Sequence, residues 1–229
     1  MKPPVKASQM SRPISPYHAP GFYAEALARG RHRDIVGGRW EETGAIQMQL
    51  LIEAGMRPHH RLLDIGCGAL RLGCRAVPYL DPGHYWGTDL SAALMRQGHR
   101  SELADPARLP ADHLVEDGDF AFPGLPDTID FAIAFAVFTH LPLGHLGQAL
   151  KRVHARFPRL QRLVFTTFLA ADPAQSFRQK DGVVTHPDRP PYHFRAEAVL
   201  ALAHDAGFRA EQPATRLPRG QALWSALRR

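Results

Sequence analysis

Apolar positions along the chain switch repeatedly between two spacings, and the switching predicts strands alternating with helices. Short, largely apolar runs at 62–65 and 163–168 read as buried strands, and Tyr85–Leu90 reads as a second short strand ending in an acid. Between them the spacing lengthens to three and four. A helix is expected from about Leu70 to just before Pro78, another from Ser91 to about Arg100, and a third carrying Leu146, Leu150, Val153 and Phe157. Val199, Leu202, Ala203 and Ala206 form the face of a last helix, stopped by Gly207. Alternation of this kind specifies an α/β fold, a doubly wound sheet with helices on both faces.

Ahead of the first strand, residues 21–56 read as helical, with Ile46, Leu50, Leu51 and Ala54 on one stripe, and are expected to act as a lid. Residues 1–20 hold Pro3, Pro4, Pro13, Pro16 and Pro20 without periodicity, and read as a flexible arm. The expected organisation is therefore an arm (1–20) and one domain (21–229). A chain of 229 residues, 45% hydrophobic, can fill the core of one such domain.

Composition narrows the function classes. No apolar run approaches the roughly 20 residues of a membrane span, and the first residues lack a signal-peptide hydrophobic stretch, so a cytoplasmic protein is expected. Two cysteines, Cys67 and Cys74, offer neither a disulfide framework nor a metal quartet. The net charge of +6 raises nucleic acid as a partner. The positive charge is scattered, however, and arginine outnumbers lysine 24 to 4, so coding bias accounts for it equally well. His59, His60, His84, Glu116 and Asp117 form no spaced ligand set, and no metal is expected.

The chemistry-bearing stretch is Leu62-Leu63-Asp64-Ile65-Gly66-Cys67-Gly68. Glycines at a strand-to-helix turn admit close backbone approach, and a carboxylate two positions earlier would repel a pyrophosphate while attracting a sulfonium or an ammonium. The turn thus suits S-adenosylmethionine (SAM) better than a nicotinamide dinucleotide, although a plain corner with Asp64 as a local cap remains open. Asp89 ends the second strand 21 residues after Gly68, where a ribose diol is held in doubly wound folds; it could also cap the helix that starts at Ser91. Arg71 falls in the expected first turn of the cofactor helix. A cation is unfavourable there, which suggests pairing with the cofactor's carboxylate or an acidic neighbour.

In these motifs the chain resembles the class I SAM-dependent methyltransferases over roughly residues 37–229. Asp64 to Gly68 is similar to their first motif, Asp89 to their ribose-binding acid, and Asp119-Phe120 to the pair that reads adenine. The segment 129–142 resembles their fourth strand and following loop, and the tail from Tyr192-His193-Phe194 to Leu223-Trp224 their closing elements. The resemblance implies a Rossmann-like seven-stranded sheet with the last strand antiparallel. It implies SAM contacts at Asp64, Gly66, Cys67, Gly68, Asp89, Leu90, Asp119, Phe120 and Phe135, to which the placement of Arg71 adds one more. One departure stands out: Phe157-Pro158-Arg159-Leu160-Gln161 replaces the usual glycine-rich turn before the fifth strand.

SAM needs few catalytic side chains, because its sulfonium already activates the methyl. A neutral hydroxyl acceptor would need a base. His140, in the loop after the fourth strand, is the candidate, with an ordinary imidazole pKa near 6.5; a structural role in opening the next helix is the alternative. His145, His186 and His193 are further candidates on expected acceptor-side loops. Gly38-Arg39-Trp40 and Gly44-Ala45-Ile46-Gln47 resemble a signature of a bacterial subset acting on small metabolites or cell-surface glycans. Trp40 and Gln47 would then cover the methionine end of the cofactor, against core packing and solvation as the plain alternatives.

Arg178, Lys180, Arg189 and Arg195 could favour an acidic acceptor or form a solvated rim. Asp188-Arg189-Pro190-Pro191-Tyr192 is similar to the Pro-Pro-Tyr element of adenine-N6 methyltransferases, yet it follows the fifth strand instead of the fourth, so that acceptor is set aside. The expected activity is methyl transfer to an oxygen or nitrogen of a small molecule. Nucleic-acid methylation, a catalytically silent SAM-binding subunit and a nicotinamide oxidoreductase are the competing readings; the last would want a third glycine where Arg71 stands.

Overall fold

The computed structural model describes residues 14–19 and 21–229. Its core is a seven-stranded sheet built from β1 (Leu62–Ile65), β2 (Tyr85–Asp89), β3 (Leu114–Glu116), β4 (Phe131–Ala134), β5 (Arg162–Leu169), β9 (Phe208–Glu211) and β10 (Ala222–Arg228). The spatial order is β3-β2-β1-β4-β5-β10-β9. Strands β1 to β5 pair in parallel, whereas β10 runs antiparallel to both β5 and β9. The last strand is thus antiparallel, as the sequence leads one to expect. Between β5 and β9 the chain adds short strands β6 (Phe177–Arg178), β7 (Val184–Thr185) and β8 (His193–Phe194), of which β8 extends along β5 in parallel.

Alternation along the strands sorts the core into two layers. Leu63, Ile65, Ala132, Ala134, Leu163, Phe165, Trp224 and Ala226 face one way, and Leu62, Phe131, Ile133, Val164 and Leu223 the other. The first face is covered by α5 (Leu143–Arg156), through Leu146, Leu150 and Val153, and by α6 (Ala196–Asp205), through Val199 and Ala203. The second is covered by α2 (Trp40–Glu53), α3 (Gly73–Tyr79) and α4 (Ala92–Ser101), using Leu50, Leu51, Ala76, Val77 and Met95. The central strands β1, β4 and β5 are buried on both faces, which is why they are largely apolar and do not alternate with polar residues.

Two local expectations are corrected. Residues 21–56 are not one helix: α1 (Phe22–Ala28) and α2 are separated by turns, with Gly37, Gly38 and Arg39 all at positive φ. The cofactor helix starts at Gly73, not about Leu70, because Leu70 is left-handed (φ +64°), and it ends at Tyr79 with Pro78 inside it. Arg71 therefore precedes the helix, and the dipole argument does not apply to it. Of the expected arm, residues 1–13 and 20 lie outside the described residues. Residues 14–19 carry a 3-10 turn, Pro16–His18, capped by Ser15, whose Oγ accepts from the Tyr17 N–H at 3.3 Å.

The sheet order reverses between β1 and β4, since β2 and β3 lie to one side and β5 to the other. Loops leaving the carboxyl ends of these two strands diverge, and the crevice between them is where doubly wound sheets bind ligands.

Candidate functional site

At that crevice lies a cavity of about 260 Å³. Its walls come from the loops after β1 to β5, from the turn before β10, and from the strap Ser15–His18 together with the loop 35–39. The end under β1, β2 and β3 consists mainly of turn backbone. Gly66 (φ +73°) and Gly68 (φ +56°) hold conformations that side chains resist. A Cβ on Gly66 would come 2.5 Å from Val137 Cγ2, and one on Gly68 would come 2.6 Å from Val36 Cγ1. The two glycines thus admit those valines on one side while the turn's backbone borders the cavity on another.

Asp89 locks this turn. Its Oδ2 accepts from the Gly68 N–H at 2.9 Å and its Oδ1 from the Ser91 N–H at 3.1 Å. Each oxygen keeps a further lone pair for a diol. Burial raises the Asp89 carboxyl to about 6, against the pull of its backbone hydrogen bonds. Ser91 in turn caps α4 by accepting from the Leu94 N–H at 3.2 Å. Asp64 is buried and accepts from the Tyr85 hydroxyl at 2.7 Å. Burial pushes it up to about 7, more than the Tyr85 hydrogen bond and the nearby Arg71 charge bring it down. A bound cation would reverse that rise.

Arg71 borders the cavity, and its guanidinium is engaged by the protein. It donates to the Val36 carbonyl at 2.7 Å, to the Gly38 carbonyl at 3.4 Å and to Gln47 Oε1 at 3.3 Å. It so ties the loop before α2 to the glycine turn. Gln47 is buried and lines the cavity, whereas Trp40 lies outside the lining, with the Arg33 guanidinium 5.0 Å above its ring. Cys67, Leu90, Phe120 and Phe135 all line the cavity. Asp119 does not. Asp117 and Gly118 do, and Asp117 is occupied with the turn itself, accepting from the N–H groups of Asp119, Ala121 and Phe122 at 2.9–3.1 Å. Asp119 is exposed; burial lowers the pKa of the lining His18, and the nearby charge of Asp119 offsets part of that fall.

The other end belongs to the loops after β4 and β5 and the turn before β10. Ala136 is left-handed (φ +62°), a strained position for a residue with a Cβ. Its N–H donates to Thr166 Oγ1 at 2.8 Å, Thr166 in turn donates to Gln221 Oε1 at 2.6 Å, and Thr139 Oγ1 donates to the Ala136 carbonyl at 2.7 Å. This network fixes the loop that presents His140. The imidazole packs edge-on against Tyr17, with ring centroids 4.9 Å apart, and its Nδ1 is enclosed without a hydrogen-bond partner among the described residues. Enclosure, helped by the charge of Arg219, lowers its pKa to about 4. The ordinary value near 6.5 expected from sequence is corrected by this desolvation.

His18 and His140 are the histidines of the lining. His186 instead meets Ser176 Oγ at 2.7 Å, and His193 is buried against Thr185 Oγ1 at 2.8 Å. Arg178, Lys180, Arg189 and Arg195 lie outside the lining as well. Pro191 does line it: Tyr192 donates its N–H to the Thr139 carbonyl at 2.7 Å, so the 188–192 segment leans on the loop after β4. Sequence reasoning did not single out Tyr17, Tyr23, Arg219 or Gln221. Their only linear signals are two aromatics beside a proline-rich stretch and a Pro-Arg-Gly turn before the last strand. Among the described residues no group of three or more histidine, cysteine or acidic side chains could hold a metal ion.

The residues present fit a cationic nucleoside cofactor: the buried Asp64 and half-buried Asp89 carboxylates at one end, a backbone turn between them, and at the far end an imidazole whose Nδ1 has no partner among the described residues. Comparisons agree. Residues 63–157 match the family model described as a methyltransferase domain. The fold is shared with magnesium protoporphyrin IX methyltransferase from Synechocystis crystallised with SAM bound, at 18% identity, covering 90% of this chain and 94% of that one, with a TM-score of 0.60. It is shared too with a TehB-like SAM-dependent methyltransferase from Corynebacterium glutamicum, at 17% identity over 92% of this chain and all of that one, TM-score 0.58. A third similar structure is an O-methyltransferase from Nostoc punctiforme, so described provisionally, at 15% identity over 91% of this chain and 60% of that one, TM-score 0.62.

Proposed function

We propose that this chain is a SAM-dependent methyltransferase that moves the methyl group to an oxygen or nitrogen of a small-molecule acceptor. One observation carries the reading. A single cavity runs from Asp89 and the glycine turn to the enclosed imidazole of His140, under the cover of Tyr17. That cover favours a small acceptor over a base within a nucleic-acid duplex. No helix among the described residues is long and apolar enough to cross a membrane.

SAM supplies a methyl already activated by its sulfonium. The work left to the chain is binding, alignment and exclusion of water. Asp89 would hold the ribose diol, Asp64 would face the cationic end, and the turn at 66–68 would carry the backbone between them. Phe120 and Phe135 would wall the base and the reacting centre, and Asp119 would receive the adenine amine from the cavity's edge. His140 would accept the proton of a hydroxyl acceptor. Held neutral at every pH above about 5, the imidazole is free to accept throughout the neutral range, though as a weak base.

Calorimetry with purified protein tests the reading first. SAM and its demethylated product S-adenosylhomocysteine should bind in the micromolar range and NADH should not, and labelled SAM incubated with a cell extract should label a low-mass product. Tight NADH binding without SAM binding would reject it, and label confined to nucleic acid would replace the acceptor.

A further inference from the structure

Resting on the proposed methyl transfer to a small molecule, we propose that the acceptor has an apolar body bearing an anionic group, carboxylate or phosphate, and that Arg219 holds that group at the cavity's mouth. The sheet divides the cavity's lining. The ends of β1, β2 and β3 carry the acids and the glycine turn suited to the cofactor, so the acceptor is left with the ends of β4 and β5 and the turn before β10. The side chains there are mostly aromatic or apolar, notably Tyr17, Leu141, Phe168 and Pro191. They suit a flat or apolar body. Among the residues of these loops, Arg219 brings the permanent charge.

Three features mark Arg219 as placed. Its backbone is left-handed (φ +63°) between Pro218 and Gly220, a conformation that a residue with a Cβ resists. That backbone is held from outside by Asp181, whose Oδ2 accepts the Arg219 N–H at 2.7 Å. Asp181 thus binds the main chain and not the guanidinium. The guanidinium donates to the Gly37 carbonyl at 2.6 Å, and among the described residues no carboxylate pairs with it.

Arg219 borders the same cavity as His140, and its charge reaches Tyr17, His140 and Arg71. A cation without an acid, facing an apolar chamber, is a receptor for a planar anion that it can grip with two parallel N–H groups. Its exposure suits a mouth position, where it would also draw anions inward. The four cations in the 178–195 segment lie outside the lining and cannot take this part.

The test uses two matched pairs of probes on the full chain loaded with S-adenosylhomocysteine: 4-hydroxybenzoate against 4-hydroxybenzamide, and phenyl phosphate against phenol. In at least one pair the anion should bind about tenfold more tightly than its neutral partner. The pair that discriminates identifies the group as carboxylate or phosphate. Arg219→Gln should erase the discrimination and Arg219→Lys should keep part of it, with S-adenosylhomocysteine affinity held within about threefold and the melting temperature unchanged. Equal binding of anion and neutral in both pairs, or no binding of any probe, overturns the proposal. So does discrimination that survives in Arg219→Gln, or a fall in S-adenosylhomocysteine affinity that tracks the loss, which would make Arg219 a clamp for the loop at Gly37. Failure of wild type to bind S-adenosylhomocysteine would instead strike the methyltransferase reading itself.

Discussion

The half of the crevice under β1, β2 and β3 is made of short turns cross-tied by carboxylates, while the half under β4, β5 and β10 is assembled from segments far apart in the chain. In the first, Asp89 secures the turn only 21 residues before it, and Asp117 secures the turn that follows it directly. In the second, Tyr17, His140, Pro191 and Arg219 meet from four separate stretches of sequence. Short cross-ties make a site that one ligand geometry fits, whereas distant segments can change one at a time. A common cofactor and a variable acceptor would be served by such a division.

The largest expected effect separates the halves outright. His140→Ala should lower kcat by about 10² to 10⁴ for a hydroxyl acceptor and leave SAM affinity within a few-fold. Because the folded imidazole titrates near 4, the acid limb of the rate should fall near pH 4 and not near 6.5. Stability carries the same signature. The folded pKa lies below the unfolded 6.5, so the unfolded chain takes up the proton first; stability is full above about pH 6.5 and falls as pH drops toward 4, by about 3 kcal/mol at most. His140→Phe should flatten that fall, read by denaturant melts across the window. A loss of SAM binding in proportion to activity would move His140 to the scaffold and erase the contrast.

How much of this was legible in the sequence follows the same division. The glycine turn and Asp89 lie on adjacent strand ends, so their spacing in sequence reports their spacing in space. The central strands β1 and β5 were legible for a like reason, since largely apolar runs are what a sheet covered on both faces demands. Tyr17 was not, because residues 14–19 have no apolar period and derive their order from contacts with His140, Phe22 and Tyr23. Arg219 was hidden likewise: only its left-handed backbone sets it apart, and sequence does not show that. The start of α3 was misread because Leu70 has a good helix former's side chain in a backbone that tertiary packing holds left-handed.

A second variant probes a place where the halves touch. Gly66→Ala puts a Cβ 2.5 Å from Val137 Cγ2 and asks a side-chain-bearing residue to hold φ +73°. It should weaken SAM about a hundredfold and destabilise the fold by about 2 kcal/mol, measured by calorimetry and melts. Since Val137 stands three residues before His140, turnover should fall as well. Adding Val137→Ala removes the clashing methyl and should restore part of the affinity. No rescue would mean that the backbone conformation alone is at fault.

A third, smaller effect is confined to the cofactor half. Asp64 titrates near 7 without a ligand, and a cation beside it favours the carboxylate. Its folded, ligand-free pKa is raised, so SAM binding must expel a proton wherever pH lies below about 7. Affinity should therefore rise by about tenfold from pH 5.5 to 7 and level off above, with proton release seen as a buffer-dependent binding heat. Asp64→Asn should weaken binding and remove the slope. A slope that persists in Asp64→Asn would assign it to Asp89, whose carboxyl titrates near 6.

The smallest effect concerns the adenine end, where two acids compete for one role. Asp117 accepts three backbone N–H groups, so Asp117→Ala should cost about 2 kcal/mol of stability as those donors lose their partner, with SAM weakened through the collapsed turn. Asp119 is exposed and receives no such burden. If it meets the adenine amine when SAM is bound, Asp119→Ala should lower affinity by about fivefold with stability unchanged, and Asp119→Asn should keep most of it through its carbonyl oxygen. Inosine-containing SAM, which lacks the amine, should then bind wild type and Asp119→Ala equally. Equal losses for Ala and Asn, or a persisting preference for adenine in Asp119→Ala, would pass the role to the backbone of Gly118 and Phe120, which already line the cavity.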